Sequence, residues 1–131
     1  MMSTTYKPSG YNSVSPYLVV SEAHRMIALL ETVFDAKRLR RYDNPDGSIM
    51  HAEVRVGDSV IMLGGASETY PPNRLLIHVY VPDVDEVYRR AIAAGCEAEQ
   101  APREQPGDPD KRGSFKDFAG NSWAVATQVT R

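Results

Sequence analysis

From residue 49 to residue 56 the chain reads IMHAEVRV, and Met50, Ala52, Val54 and Val56 alternate strictly with His51, Glu53 and Arg55. A period of two is the mark of a strand with one face on a core. Upstream, SVSPYLVV (residues 13–20) predicts another strand. SEAHRMIALLETVF (21–34) predicts a helix, because Met26, Ile27, Leu29, Leu30, Val33 and Phe34 recur at helical spacing. Ser21 is the expected N-cap. AKRLRRYD (36–43) leads into the turn NPDGS (44–48), and Gly57-Asp58 turns the chain into a short strand, SVIMLGG (59–65). A loop with paired prolines, residues 66–74, then interrupts the pattern.

The second half begins again in the same way. LLIHVYV (75–81) is a strand and PDVDEVYRRAIAAG (82–95) a helix, with Pro82 near its entry, acids Asp83, Asp85 and Glu86 in the first turn and Gly95 as its stop. CEAEQA (96–101) is strand-like, PREQPGDPDKR (102–112) reads as a loop, GSFKDF (113–118) as a short strand and SWAVATQV (122–129) as the last strand. Val20-Ser21-Glu22 recurs as Val81-Pro82-Asp83, and Gly57-Asp58-Ser59 as Gly120-Asn121-Ser122. A βαβββ unit therefore occurs twice, module 1 spanning about residues 12–65 and module 2 about 75–129. The expected fold is α+β, two modules forming a curved mixed sheet around a concave cavity with the helices on the convex side, since neither unit covers its own sheet alone.

Composition narrows the partners. A chain of 131 residues with 42% hydrophobic content makes one globular domain. Fifteen Lys and Arg against seventeen Asp and Glu leave a net charge of -2, without the basic excess that a phosphate backbone demands, so nucleic acid is not an expected partner. The opening MMSTTYKPSGYNS lacks the features of a signal peptide, and no long apolar run occurs; no membrane association and a cytoplasmic location are expected. The single cysteine, Cys96, has no partner for an internal disulfide and sits at an expected helix end without a nucleophile motif.

The repeated layout resembles the vicinal oxygen chelate superfamily of glyoxalases, extradiol dioxygenases and bleomycin-resistance proteins. The runs PYLVV, GSIMHAEVRVGDSVIML, HVYVPDVDEVYRRAIAAG and DFAGNSWAVAT, spread over residues 13–128, are similar to its PhnB-like branch. The resemblance implies that metal-dependent members take four His, Gln or Glu ligands, from the first and last strands of each module. Carried over, these positions fall on Ser15, on Met62 (Ile61 if the internal repeat sets the register), on Leu76 and on Ala124, where GNSWA stands for the usual GN-x-x-Glu. None is a hard-metal ligand. No cofactor is expected, a divalent metal being the alternative. The resemblance also implies a homodimer in which each cup is completed by the partner chain, with loops 66–74 or 103–112 near the other subunit.

Strand parity then selects candidate residues. If position 76 faces the concavity, so do His78 and Tyr80, while Ile77, Val79 and Val81 pack under the helix. The same rule turns Ser15 and Tyr17 inward, and His51, Glu53 and Arg55 inward if Met50, Ala52, Val54 and Val56 take the helix side. The expectation is one cup lined by Tyr17, His51, Glu53, Arg55, His78 and Tyr80, receiving a small organic molecule that is flat, aromatic or acidic. His51, Glu53 and His78 are alternatively a two-histidine, one-carboxylate metal set or acid-base groups, and His51, Glu53 and Arg55 alternatively form a partly buried hydrogen-bond network or simply a wet sheet face. His24 is expected in solvent and Trp123 in the core. Lys37, Arg38, Arg40 and Arg41 form a solvated strand edge or a guide for an acidic ligand, and Tyr70-Pro71-Pro72 a lid or a crossover. Three functions follow: a metal-free binding protein, a metal-dependent lyase or dioxygenase-type enzyme, and a metal-free acid-base enzyme using His78, Glu53 or His51.

Overall fold

Each half of the chain folds in the order strand, helix, three strands. In the computed structural model, which describes residues 6–129, β1 (Tyr17–Val20), α1 (Ala23–Phe34), β2 (Lys37–Asp43), β3 (Ile49–Val56) and β4 (Ser59–Gly65) form the first module. The second comprises β5 (Leu76–Tyr80), α2 (Val84–Ala93), β6 (Glu97–Arg103), β7 (Asp110–Lys116) and β8 (Ser122–Gln128). Hydrogen bonding closes within each module, giving two four-stranded mixed sheets of order β1-β4-β3-β2 and β5-β8-β7-β6. In both, the first strand pairs parallel with the last, and the remaining pairs are antiparallel. The expected α+β duplication is thus observed, and the helix of each module makes the long crossover between opposite edges of its sheet.

Helix α1 buries Met26, Ile27, Leu30 and Val33 on one stripe. Its cap differs from expectation: Glu22, not Ser21, holds the N-cap position and makes no capping bond, its carboxylate turning to Arg25 at 3.4 Å. The helix ends where Asp35 adopts a left-handed conformation, φ 55°, its N–H reaching the Glu31 carbonyl and the N–H of Ala36 that of Leu30. In α2 the Asp83 carboxylate caps the Glu86 N–H, and Gly95 at φ 98° carries the chain out.

Three strand boundaries also moved. β1 starts at Tyr17 rather than at residue 13, because Pro16 has no N–H to give a ladder. The expected loop 102–112 shrinks: β6 runs to Arg103, and β7 begins at Asp110, whose N–H is held by the Asp108 carboxylate at 2.9 Å. Met50 was expected under the helix and is instead 55% exposed, while Ile49 is buried. The cause is a bulge, for Tyr42 pairs with His51 but Asp43 with Ile49, leaving Met50 as the extra residue on β3.

One core joins the modules. The ring of Phe34, at the end of α1, lies 5.1 Å from Trp123 and 6.2 Å from Phe115 of the second sheet, and Trp123 is buried as expected. Asp117 is the polar centre of this region. It accepts from Ala119 N and Trp123 Nε1 at 2.9 Å, from Asn121 N at 3.0 Å and from Asn121 Nδ2 at 3.1 Å, while Asn121 Oδ1 takes the Leu75 N–H at 2.8 Å. The DFAGNSW stretch therefore ties the β7–β8 turn to the start of β5 with buried donors satisfied.

Candidate functional site

Register places Tyr17, Met62 and Glu53 in one row across β1, β4 and β3. His51, two residues before Glu53 on the same face, reaches both neighbours. Its Nδ1 lies 2.9 Å from the Tyr17 hydroxyl and its Nε2 2.9 Å from Glu53 Oε2. The other Glu53 oxygen receives a hydrogen bond from the hydroxyl of Tyr11, so a carboxylate that is only 5% exposed has both oxygens engaged. Burial pushes the Glu53 carboxyl up, but the hydrogen bonds from His51 and Tyr11 outweigh it and hold the group below its ordinary value. The Tyr17 phenol is raised by burial first, and then by Tyr70 and Glu53. Tyr11 is raised by its bond to Glu53.

The segment before β1 lies against one end of this face. Arg55 Nη2 donates to the Gly10 carbonyl at 3.0 Å, the Arg40 guanidinium lies 5.2 Å from the Tyr11 ring centre, and Asn12 Oδ1 takes the Val60 N–H. On the other side, the loop after β4 covers the free edge of β1, where Asn73 donates to Tyr17 O and accepts from Val19 N, both at 2.9 Å. Between them opens a cavity of about 720 Å³ lined by Tyr17, Val19, Met50, His51, Gly64 and Tyr70 among others. Gly64 makes it possible: a Cβ there would stand 2.6 Å from the Met50 carbonyl oxygen and 3.1 Å from the Tyr17 hydroxyl.

His78 and Tyr80 belong to another constellation. On the second sheet, Arg112 Nη1 lies 3.1 Å from His78 Nε2, Arg112 Nε donates to Asp108 at 2.7 Å, and Nη2 to Asp110 at 2.8 Å. The Tyr80 hydroxyl also donates to Asp110, at 2.7 Å, and the His78 and Tyr80 rings meet edge-on at 4.8 Å. The single cup of six residues expected from parity is thus corrected within the chain: Tyr17, His51 and Glu53 assemble on one sheet, His78 and Tyr80 on the other. Parity assigns a residue to a sheet face but not one sheet to its neighbour. Arg55 and Tyr80 both border a different cavity, of about 490 Å³, between the end of α1 and the start of α2. Tyr11, Arg112 and Asp110 were missed. Tyr11 sits in an aperiodic segment, whereas alternation through DKRGSF carried a signal for Asp110, Arg112 and Ser114 on one face.

The residues do not fit a divalent metal. Leu76 is 77% exposed, Met62 and Ala124 carry no hard donor, and the Ser15 hydroxyl is at 3.4 Å from Asn12 Nδ2. The alternative set fails too, for His51 already engages Tyr17 and Glu53, and His78 stands on the second sheet. Among the described residues no three His, Cys, Asp or Glu are grouped to hold a metal ion. Of the remaining candidates, His24 is exposed as expected. Cys96 is buried, and burial followed by the nearby Asp117 charge pushes its thiol up to about 11.

The duplicated βαβββ architecture defines the fold class, and the family follows from direct comparison. The chain belongs to the glyoxalase/bleomycin resistance protein/dioxygenase superfamily, whose model matches residues 10–125. An uncharacterized protein of Mycobacterium bovis, Mb0911c, is 34% identical over 130 residues, covering 89% of this chain and 84% of its own. Among solved structures, TioX from Micromonospora sp. ML1 superposes with a TM-score of 0.72 at 24% identity, covering 92% of this chain and 98% of its own. TnmS3, an antibiotic binding protein from Streptomyces sp. CB03234, does so with a TM-score of 0.68 at 18% identity, covering 91% and 100%. No helix among the described residues is long and apolar enough to cross a membrane.

Proposed function

We propose that this protein is a metal-free binding protein for a small, flat, aromatic organic compound, of the bleomycin-resistance type and of the PhnB-like branch. The observation that carries the reading is the cavity of about 720 Å³ on the first sheet, where the rings of Tyr17, His51 and Tyr70 and the Met50 side chain give stacking surface around few polar groups. The side chains at the family's metal positions, Ser15, Met62, Leu76 and Ala124, support binding without a metal, and the antibiotic binding of TnmS3 supports a small organic molecule as the class of ligand. The exposed Leu76 and Tyr80 on the second sheet favour a homodimer in which that face closes the partner's cavity. The free cysteine fits a cytoplasmic location.

A screen of aromatic compounds by thermal shift, with elemental analysis of the purified protein and light scattering, tests this reading. The expected result is a raised Tm with selected aromatics, no stoichiometric metal and a dimeric mass. One metal ion per chain, or an aromatic library that leaves Tm unmoved, overturns it.

A further inference from the structure

We infer that Tyr17, His51 and Glu53 form a proton relay of fixed polarity that presents a hydrogen-bond acceptor to the cavity, so that the site selects an acidic hydroxyl, a phenol or an enol, and holds it as the anion. The inference rests on the reading of the cavity as a small-molecule site and deepens it. The polarity follows from the bonds themselves. Glu53 is a carboxylate, and both its oxygens accept: one from Tyr11, the other from His51 Nε2 at 2.9 Å. In the neutral imidazole the proton is therefore on Nε2, which leaves Nδ1 with a lone pair. The Tyr17 hydroxyl, 2.9 Å from Nδ1, spends its only proton there. What Tyr17 shows to the cavity it lines is a lone pair.

A ligand carbonyl or ether meets that lone pair with another, whereas a ligand hydroxyl donates into it. Proton transfer along the same path is balanced and needs no further reactant. The ligand O–H bond breaks and its proton joins the Tyr17 oxygen, while the Tyr17 proton passes to His51 Nδ1. The products are a ligand oxyanion accepting from a neutral Tyr17, and an imidazolium held between Tyr17 and the Glu53 carboxylate. The groups around His51 are Tyr17, Tyr42 stacked at 6.2 Å and Glu53, with Tyr11 and Arg40 behind the carboxylate. The only carboxylate in this set is the one the relay uses, so a negative ligand meets no second one across the ring.

The probe is 4-nitrophenol, whose anion absorbs in the visible, set against its O-methyl analogue 4-nitroanisole, which has no proton to donate. Titrations use the full chain in buffer about one unit below the solution pKa of the probe. Wild type is expected to bind 4-nitrophenol about tenfold more tightly than the methyl ether and to show the anion band on binding. Tyr17→Phe removes both the preference and the band. His51→Gln, with its fold checked by circular dichroism, binds 4-nitrophenol more weakly for want of the imidazole ring, and what it binds shows no anion band. Equal binding of the two probes, or tight binding of 4-nitrophenol as the neutral form, overturns the relay and leaves the binding reading standing. Failure of both probes also overturns the relay, and the aromatic screen then decides whether the binding reading falls with it.

Discussion

Tyr17 and His78 hold the same place in the two halves: Tyr17 lies opposite Met62 across β1 and β4, and His78 opposite Ala124 across β5 and β8. The equivalence extends to their partners. Met62 faces Glu53 as Ala124 faces Ser114, so His51 and Arg112, each two residues earlier, also correspond. Tyr17 bonds to His51 at 2.9 Å and His78 to Arg112 at 3.1 Å, the same contact made with different chemistry. One half carries an imidazole backed by a carboxylate, the other a guanidinium held by Asp108 and Asp110.

His78→Leu is expected to leave stability within about 0.5 kcal/mol of wild type in urea denaturation, because His78 is exposed and Arg112 keeps both aspartates. A loss of about 2 kcal/mol or more would instead mark His78 as a packed, bonded core residue.

Gly64→Ala is expected to cost about 1–3 kcal/mol, since the added methyl lies 2.6 Å from a backbone carbonyl of β3 that has no room to retreat. It also crowds the Tyr17 hydroxyl, so aromatic ligands found by thermal shift should bind this variant more weakly. Unchanged denaturation and unchanged binding together would contradict the close approach of β4 to the bulge.

Asp117→Ala removes the acceptor for Ala119 N, Asn121 N and Trp123 Nε1 in a buried region. The expected loss is about 3 kcal/mol or more, read from urea denaturation, with blunted near-ultraviolet circular dichroism as Trp123 loses its fixed setting.

Acid should destabilise the fold through groups whose carboxyls sit lower in the folded chain than in the unfolded one. Glu86 is held at about 2, chiefly by its hydrogen bond from Arg89, and Glu53, Glu31 and Asp108 are lowered as well. Because the unfolded chain then binds more protons, this stabilisation is complete above the ordinary glutamate value of 4.5 and is lost as pH falls towards about 2. Tm measured against pH should decline over that window, and Glu53→Gln should make the decline shallower. A Tm that rises on acidification would contradict the assignment.

Cys96 should react with Ellman's reagent only slowly in the native state, since its thiol is buried and raised to about 11. Guanidinium should release rapid, stoichiometric reaction; fast labelling of the folded chain would show that the turn after α2 opens readily.

Much of the fold was legible because backbone geometry writes itself locally. The helix stripe of Met26, Ile27, Leu30 and Val33, the alternation of Ala52, Val54 and Val56, and the recurrence of the Gly-Asp/Asn-Ser turns before β4 and β8 each span a few residues. The duplication, and with it the α+β architecture, could be read from them. The site was legible only in part. Alternation put Tyr17, His51 and Glu53 on one sheet face, and there they meet.

What the sequence by itself determined was which residues share a face and that one module occurs twice, since periods of 2 and 3.6 are properties of a single strand or helix. Tertiary structure alone decided which faces and segments meet. Tyr11 reaches Glu53 from 42 positions away and engages its second oxygen, a contact with no local pattern to announce it. The bulge that exposes Met50 arises from the pairing of β3 with β2, so it belongs to two strands and not to either sequence alone. His78 and His51 obey the same parity yet face different surroundings, because periodicity sets the direction of a side chain relative to its own sheet, whereas the packing of helices and sheets into one core sets where each sheet stands.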